Sequence, residues 1–566
     1  DQAQGVLRAQ EAEAYRTRGR EVEDPITLVS LQARLTGGVR GLLYLLVGAV
    51  LLVLLLGALN AATLLVAHVG RRRVEFGIRQ ALGASKAILY RQLVLECLLL
   101  ALMGTAAGLV IAMWSDGVLR ALLPSTMPRF NELGVDRATV LFGATVGVLL
   151  GVATGLIAGI RAARFDVARL HDSATKTTGT VEGRRMLRAL VLAEMAVAFI
   201  LATGTGLLAR SLVSASQVDL GFRPDAVTTF RLQLPDAAYP PARRLIFTER
   251  LLEGLRGVPG VIAAGMVNDL PLAGQMGMGT RLRPFGSPED VDTVGASRRV
   301  VAGDYFAALG VPLLAGRTFT PADAQAEELP LIVSEAVARR LAPTGSAVGM
   351  AVYQLSTPAR IVGIVGDVRQ RGPDEPVRPT VYQPWASFNI NSLSIAVRSS
   401  NDIAGAIREV VRRLDPTLPV FELRTMHDIV ASALAERRFA LTLVGAFALF
   451  GVGLALFGAY AVASVMVVER TREIGIRVAL GASRRGVLRL VLGEGMLTGL
   501  LGVLVGLVGA VSLRPLVASL LFGVEAHDPP TLVGVAVLMV GIATLGALRP
   551  ALRASRVDPM VALREE

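Results

Sequence analysis

Seven long apolar stretches dominate this chain and constrain its fold more than any other feature. Each has about the 20 residues that a helix needs to cross a bilayer, or more. Only 18% of the 566 residues are charged, against about 25% in soluble proteins. The stretches lie at 41–68, 93–114, 138–160, 188–213, 438–468, 487–510 and 531–548. We therefore predict an integral membrane protein with seven transmembrane helices.

Basic residues are distributed unequally between the two ends of these stretches. The connectors after the first, third and fifth stretches and the tail after the seventh hold 23 arginine or lysine residues, against four in the opposite connectors. Because basic connectors stay in the cytoplasm, we expect the N-terminus outside and the C-terminus inside. The net charge of +12 is then a topology signal that favours lipid contact and argues against a nucleic-acid partner. The single cysteine, Cys97, excludes a disulfide framework.

One short string occurs twice in the chain. "EFGIRQALGAS" (75–85) and "EIGIRVALGAS" (473–483) are identical at nine of eleven positions, and the same offset of 398 matches Glu96 with Glu494. Each copy is followed by two apolar stretches and a related basic string, "RAARFDVARL" or "RASRVDPMVAL". Such self-similarity indicates an internal duplication.

The second copy predicts a short helix and a tight turn before the next span. Glu473 and Arg477 stand at i and i+4 with the acid first, which is the stabilising order. Gly481 suits a left-handed helix end, and Ser483 suits the N-cap of the following helix. We interpret the string as a surface helix that docks a cytoplasmic partner. Two simpler explanations are orientation of the membrane segments and passive inheritance from the duplication.

Residues 214–435 form the one sizeable segment outside the apolar stretches, long enough to bury a core. "AVTTFRLQL", "VIAAGMV", "NSLSIAVRS" and "VFELR" read as strands. One helix lies between the first two of these strands and another lies between the last two. The first helix has apolar residues at helical spacing, and the second has a full apolar face. These apolar positions are Leu245, Leu252 and Leu255 in the first helix, and Ile403, Ile407, Val410, Val411 and Leu414 in the second. The fold class is thus membrane α-helical with an extracytoplasmic α+β domain of two lobes: two βαβ units and a β-rich lobe inserted at about 275–390.

The chain shows no motif for catalysis, nucleotide binding or metal binding. Its two lysines, Lys86 and Lys176, do not end a G-x-x-x-x-G-K pattern, and its four histidines are scattered. We therefore predict no catalytic residue, no cofactor and no metal site.

Two further features fall within the apolar stretches. Glu96 and Glu494 are candidates for an intramembrane polar function, although both are near the cytoplasmic end, where Arg91 and Arg489 could pair with them. The four-residue spacing of Gly151, Gly155 and Gly159 predicts close helix packing, with oligomerisation as the alternative.

These strings together resemble the FtsX-like permease family, the membrane subunit of MacB-type ABC transporters. The resemblance is carried by both copies of the string, the "RASRVDPMVAL" tail, "GDYFAALGVPLLAGRTFTPAD" and "IVGIVGDVR". It covers nearly the whole chain and implies a bacterial plasma-membrane protein that works with a separate cytoplasmic ABC ATPase. It also implies the ATPase-docking residues, which are Glu75, Gly77, Arg79, Gly83, Glu473, Gly475, Arg477 and Gly481.

The resemblance also implies a division of the chain into parts. In the family each repeat has four spans, so residues 1–38 are expected to be the end of a first extracytoplasmic domain in an N-terminally truncated chain. The remaining parts are a first FtsX-like domain (39–170), a cytoplasmic linker (171–187), a transmembrane helix (188–213), a MacB-like extracytoplasmic core domain (214–435) and a second FtsX-like domain (436–566).

The function implied is coupling of ATP hydrolysis by the separate subunit to movement of the extracytoplasmic domain, for export or extrusion. The alternative is a non-transporting switch that regulates an extracytoplasmic enzyme or senses a ligand. The resemblance leaves open an extracytoplasmic partner or a homo-oligomer.

Overall fold

The structure, a computed structural model, divides into two compact units. It describes residues 31–72, 85–122, 134–163, 181–273, 278–287, 293–388, 390–480, 482–518 and 520–556, together with positions 5, 7, 75, 78 and 79. One unit is formed by residues 1–211 and 437–566, and the other by residues 212–436. Most of the segment 1–38 and of the linker 171–187 lies outside the described part.

The elements of the described part follow the order that the sequence predicts. Four helices come first: α1 (Leu31–Arg71), α2 (Lys86–Leu122), α3 (Arg137–Ala163) and α4 (Val181–Ser216). The second unit follows with β1 (Val227–Gln233), α5 (Pro241–Arg256), β2 (Val261–Val267), β3 (Met278–Pro284), β4 (Val294–Gly303), α6 (Tyr305–Leu309), β5 (Leu313–Gly316), β6 (Leu329–Ser334), α7 (Glu335–Leu341), β7 (Ala351–Gln354), β8 (Thr357–Val365), β9 (Thr380–Pro384), β10 (Ser392–Ser399), α8 (Ala404–Leu414), β11 (Phe421–Thr425) and α9 (Met426–Ala433). The chain ends with α10 (Ala435–Glu469), α11 (Thr471–Ala479), α12 (Arg484–Ser512), α13 (Arg514–Ala518) and α14 (Pro529–Ala554).

Seven helices of the described part are long and apolar enough to cross a membrane, and each overlaps one predicted stretch. They are α1, α2, α3, α4, α10, α12 and α14. The helices run past the apolar stretches into the basic connectors, as in α1, which reaches Arg71. The predicted membrane architecture is therefore confirmed.

Glycines bring α2 and α3 close together. A Cβ atom at Gly151 would lie 3.0 Å from the Leu98 Cα, and one at Gly155 would lie 2.8 Å from the Val94 Cα. Since a side chain at either position would collide with backbone, these glycines are required for the packing that their spacing predicts. The surroundings of Gly159 lie outside the described part.

The second repeat has an equivalent close contact between its last two spans. Its glycines lie on the earlier of the two helices, whereas those of the first repeat lie on the later one. Here the glycines lie on α12 and the alanines on α14: a Cβ at Gly495 would lie 2.9 Å from that of Ala547, and one at Gly499 would lie 2.8 Å from that of Ala543. Each repeat therefore holds its last two spans together through small side chains.

The two repeats differ in what covers the next turns of the helix. Gly502 and Gly506 of α12 receive Met195 and Phe199 of α4, with Cβ approaches of 2.4 and 2.9 Å. Their counterparts at the offset of 398, Gly104 and Gly108 of α2, have no described atom within 4 Å. An apolar groove of about 820 Å³ lies there, between α1, α2 and α3. Helix α4 thus packs on the second repeat and leaves the matching face of the first uncovered by described residues.

The second unit is built on one sheet of 11 described strands. Their order is β11-β1-β10-β2-β4-β3-β7-β8-β6-β9, with β5 paired to β8. Strands β1 and β2 flank β10, while β10 and β11 flank β1, all antiparallel. The two predicted βαβ units therefore interleave as a split βαβ arrangement. Strands β3 to β9 form the inserted β-rich lobe and join the same sheet where β2 pairs with β4.

Apolar faces of the helices cover both faces of this sheet. On one face, α5 and α8 bury Leu251, Leu255, Ile407 and Val411 against β1 and β10. Leu252, Ile403 and the partly buried Leu245, Val410 and Leu414 join the same cluster, which confirms the predicted helix faces. On the other face, α6 and α9 contribute Tyr305, Phe306, Met426 and Ile429. The inserted lobe has a third cluster around Leu331, Val337 and Ile361. This unit therefore carries apolar cores of its own.

The contact between α4 and α12 gives a test of the glycine packing. We expect Gly506→Val to destabilise the chain by about 1–3 kcal/mol, because overpacking forces neighbouring backbone to shift. The measurement is the midpoint of thermal unfolding in detergent. The matched control is Gly108→Val, the counterpart with no described neighbour, which should change the midpoint little. Equal losses at both positions would contradict the asymmetry between the repeats.

Candidate functional site

The repeated string forms the short helix α11, which is fixed to the membrane helices on one side. Ile474 is buried against Val467, Val487 and Ala554, and Val478 packs against the same cluster. Gly475 is also on the buried side. The helix is therefore held by three membrane spans, α10, α12 and α14.

The opposite side of α11 carries four exposed side chains at i, i+3, i+4 and i+7. The residues are Glu473, Ile476, Arg477 and Leu480, and Leu480 is 83% exposed. Glu473 and Arg477 form the predicted ion pair at 2.7 Å. This docking face, as we call it, combines a charged pair with two apolar side chains.

The end of α11 and the start of α12 are joined by a tight turn. The Ser483 hydroxyl accepts a hydrogen bond from the Gly486 N–H, so Ser483 is the N-cap that the sequence predicts. Leu480 is the C-cap residue, with φ of −83°. The predicted left-handed position, Gly481, lies outside the described residues.

The first copy repeats part of this pattern, although its glutamate and arginine are half-buried. Glu75 and Arg79 form an ion pair at 2.7 Å, and Ile78 is 55% exposed. These are the counterparts of Glu473, Arg477 and Ile476 at the offset of 398. Gly77 and Gly83 lie outside the described residues. The same three side-chain types are therefore offered twice.

The partners of Glu96 and Glu494 differ from those that the sequence suggests. Glu96 lies 3.5 Å from Arg72 Nη1, and Glu494 lies 2.7 Å from Arg470 Nη1. Pairing with Arg91 and Arg489 was the wrong expectation, because those arginines precede the acids by five residues, and positions three or four apart share a helix face. Arg72 and Arg470 are themselves counterparts at the offset of 398. A repeated arginine–glutamate pair thus ties the start of each string to the following span.

In the first copy this pair belongs to a closed ring of polar contacts. Arg79 donates to Gln92 at 2.9 Å, and Gln92 donates to Glu96 at 3.0 Å. Arg72 then joins Glu96 to Glu75, with a distance of 2.8 Å to the latter. The ring fixes the string to α2 by side-chain hydrogen bonds as well as by its covalent connection.

The second copy lacks the residue that would close such a ring. Position 490, the counterpart of Gln92, is leucine. Glu494 instead has a second arginine partner, Arg188 of α4, at 3.5 Å. The second copy is therefore linked to the helix that leads into the 212–436 unit.

A buried carboxyl in α4 escaped the sequence analysis. Glu194 is 0% exposed and accepts a hydrogen bond of 3.0 Å from Thr63 of α1. A Cβ at position 458 of α10 would lie 1.8 Å from Glu194 Oε2, so any side chain in place of this glycine would displace the carboxyl group. An acid within the predicted stretch 188–213 was the available signal. The residues that Glu194 contacts are distant in sequence, so the sequence pattern could not identify them. Glu194 joins α4 to α1 and α10.

Within the described residues, no group of three or more His, Cys, Asp or Glu side chains could hold a metal ion.

Two family profiles match most of the chain. The profile described as FtsX-like permease C-terminal matches residues 47–167 and again residues 445–559. The profile described as MacB-like periplasmic core domain matches residues 187–413. The chain therefore belongs to the FtsX-like and MacB-like family of ABC transporter permeases, and the double match confirms the internal duplication. It is a multi-pass protein of the inner membrane with a MacB-like core domain.

Curated relatives support the same family. The uncharacterized ABC transporter permease YknZ of Bacillus subtilis (strain 168) is 27% identical over 333 residues, which is 56% of this chain and 79% of that protein. The macrolide export ATP-binding/permease protein MacB of Escherichia coli (strain K12) is 28% identical over 291 residues, which is 48% of this chain and 44% of that protein.

Two solved structures are similar to part of this chain. The periplasmic region of MacB from Actinobacillus actinomycetemcomitans is 15% identical with a TM-score of 0.26, over 37% of this chain and 92% of that chain. The extracellular domain of the ABC-type transporter YknZ from Gram-positive bacteria is 20% identical with a TM-score of 0.25, over 34% and 100%.

The Arg470–Glu494 pair can be tested by a double-mutant cycle with Arg470→Gln and Glu494→Gln. We expect a coupling of about 0.5–1 kcal/mol, the size typical of a partly exposed ion pair. It would be measured by denaturant unfolding in micelles. The control cycle combines Glu494→Gln with Arg489→Gln, where we expect no coupling. Coupling to Arg489 but not to Arg470 would show that the acid pairs within its own helix.

Proposed function

We propose that this chain is the membrane subunit of a MacB-type ABC transporter and that a separate ATPase docks on its two repeated strings. ATP hydrolysis by that subunit would move the MacB-like domain and drive export. One observation carries the proposal: both copies of the string present a glutamate–arginine ion pair beside an exposed isoleucine. In addition, the arginine three residues before each copy pairs with a glutamate of the following span.

The chemistry of the docking face supports a protein partner. Ile476 and Leu480 are exposed beside the Glu473–Arg477 pair. Interfaces commonly combine an apolar centre with a polar rim that fixes the orientation of the partner. Orientation of the membrane segments would need the arginines alone, so it does not account for this mixed face.

The contacts of the second string support mechanical coupling. Glu494 of α12 is shared between Arg470 at the start of α11 and Arg188 of α4. The chain enters the 212–436 unit through α4 and leaves it into α10. Displacement of α11 by a partner would therefore act on the two helices that connect to the periplasmic domain.

The proposed orientation places the strings in the cytoplasm and residues 214–435 outside. Single cysteines at Ser287 and Ser483, in a Cys97→Ala background, provide the test. Because the charge bias follows the positive-inside rule, an impermeant thiol reagent should label position 287 in intact spheroplasts and not position 483. Permeabilised cells are the control, in which both positions should react. Labelling at 483 in intact cells would overturn the orientation.

The docking role predicts that reversing the glutamates of the strings abolishes partner binding. In Glu75→Arg/Glu473→Arg the lost i,i+4 pairs cost about 0.2–0.5 kcal/mol each. Position 75 also loses its pair with Arg72, which adds about 0.2–1 kcal/mol, and the sum is too little to unfold a membrane span. Like charges at an interface can cost several kcal/mol. We expect the double variant to reach the membrane at the normal level. ATPase activity should co-purify with the parent chain and be lost from the eluate of the double variant.

The matched control is Glu335→Arg, which breaks the i,i+4 pair with Arg339 in the other unit. It should retain the co-purified ATPase activity. If the double variant also retains that activity, the strings are not docking sites and recur only through the duplication.

A further inference from the structure

A polar cavity in the 212–436 unit has no part in the proposed docking. It measures about 350 Å³ and lies between β3, β4 and the segment 370–379. Its floor is nearly bare sheet, because Gly279 pairs with Ser297 and Gly295 pairs with Arg281 in the β3–β4 register. A Cβ atom at either glycine would have no described atom within 4 Å. The two glycines therefore leave space where other strand residues would place side chains.

The inner wall of the cavity contains a buried guanidinium group. Arg299 is 3% exposed, pairs with Asp269 at 3.2 Å through Nη2, and donates from Nε to Gln370 at 3.3 Å. Its third nitrogen, Nη1, has no acceptor among the described residues. A buried donor without an acceptor costs about 1–3 kcal/mol. An oxygen atom of a ligand would remove that cost.

Further guanidinium groups surround the opening. Arg371 and Arg378 line the cavity and are exposed, and Arg378 lies 3.6 Å from Glu375. Burial raises the pKa of Asp269 despite the neighbouring Arg299. Among the described residues that line the cavity, three are arginines and none is acidic.

This combination selects one class of ligand. Arginine donors form paired hydrogen bonds with planar carboxylates and with phosphates. A cation would be repelled, and a purely apolar molecule would leave the Nη1 atom of Arg299 without an acceptor. The volume lies in the range of small-molecule sites, about 300–1,000 Å³. We propose that this cavity binds a small anionic molecule through a carboxylate or phosphate group, with Arg371 and Arg378 as outer contacts and Arg299 as the inner donor.

The test uses the full chain in nanodiscs of phosphatidylcholine, titrated with inorganic phosphate and separately with succinate by calorimetry. We expect saturable binding of at least one of the two anions. Gly295→Val fills the floor without changing any charge, and valine suits a strand. Arg371→Gln/Arg378→Gln removes only exposed groups, so it should fold even if the valine variant does not. Each change should weaken binding at least tenfold.

The control is Arg412→Gln/Arg413→Gln, which removes the same charge from the exposed side of α8, where both arginines contact Glu409. It should bind as the parent does. Absence of saturable binding of both anions, or equal binding by the parent and all three variants, would overturn the site.

A second arm separates the two sources of such an anion. Nanodiscs that contain phosphatidylglycerol are titrated with phosphate in the same way. Loss of the phosphate signal would support the site with a lipid headgroup as its occupant. An unchanged signal would support it with a free anion.

Discussion

Close contact between helix backbones is the constraint on which the membrane unit depends. Within lipid, burial of apolar side chains gives no preference for another helix over the acyl chains, so association rests on van der Waals packing and on hydrogen bonds. The glycines at 151, 155, 495 and 499 provide that packing within each repeat, and those at 502 and 506 provide it between α12 and α4. The polar contacts at the ends of the spans then fix each string to the span that comes after it.

In the membrane helices, both repeats keep a close contact between their last two spans, although different residues make it. In one repeat the glycines lie on α3 and face Leu98 and Val94 of α2. In the other they lie on α12 and face alanines of α14. The backbone approach is retained although the small residues have changed helix. By contrast, the arginine–glutamate pairs retain both their residue types and their positions at the offset of 398.

Patterns with a local cause could be predicted from the sequence. The seven spans follow from apolar length, the strands and helix faces of the second unit follow from periodicity, and the Glu473–Arg477 pair and the Ser483 cap follow from spacing. The order of the sheet could not be read in this way, because β1 and β2 are separated by β10, which comes more than 120 residues later.

Long-range partners account for the remaining differences. Glu494 pairs with Arg470 from the preceding helix and Arg188 from α4, which the linear pattern does not bring together. Glu194 is similar, since Thr63 lies 131 residues before it. The roles of the docking face stay predictions, because spacing describes a surface and not its occupant.

The closed ring around Glu96 has a consequence for how the halves of the gene can diverge. Loss of any one member of the ring leaves the remaining residues joined in an open chain of contacts, so the first half is buffered against single substitutions. In the second half, Glu494 contacts both Arg470 and Arg188, and its loss would release both at once. Variation should therefore be tolerated more readily at Gln92 than at Glu494, and natural sequences of this arrangement would drift unevenly in their two halves.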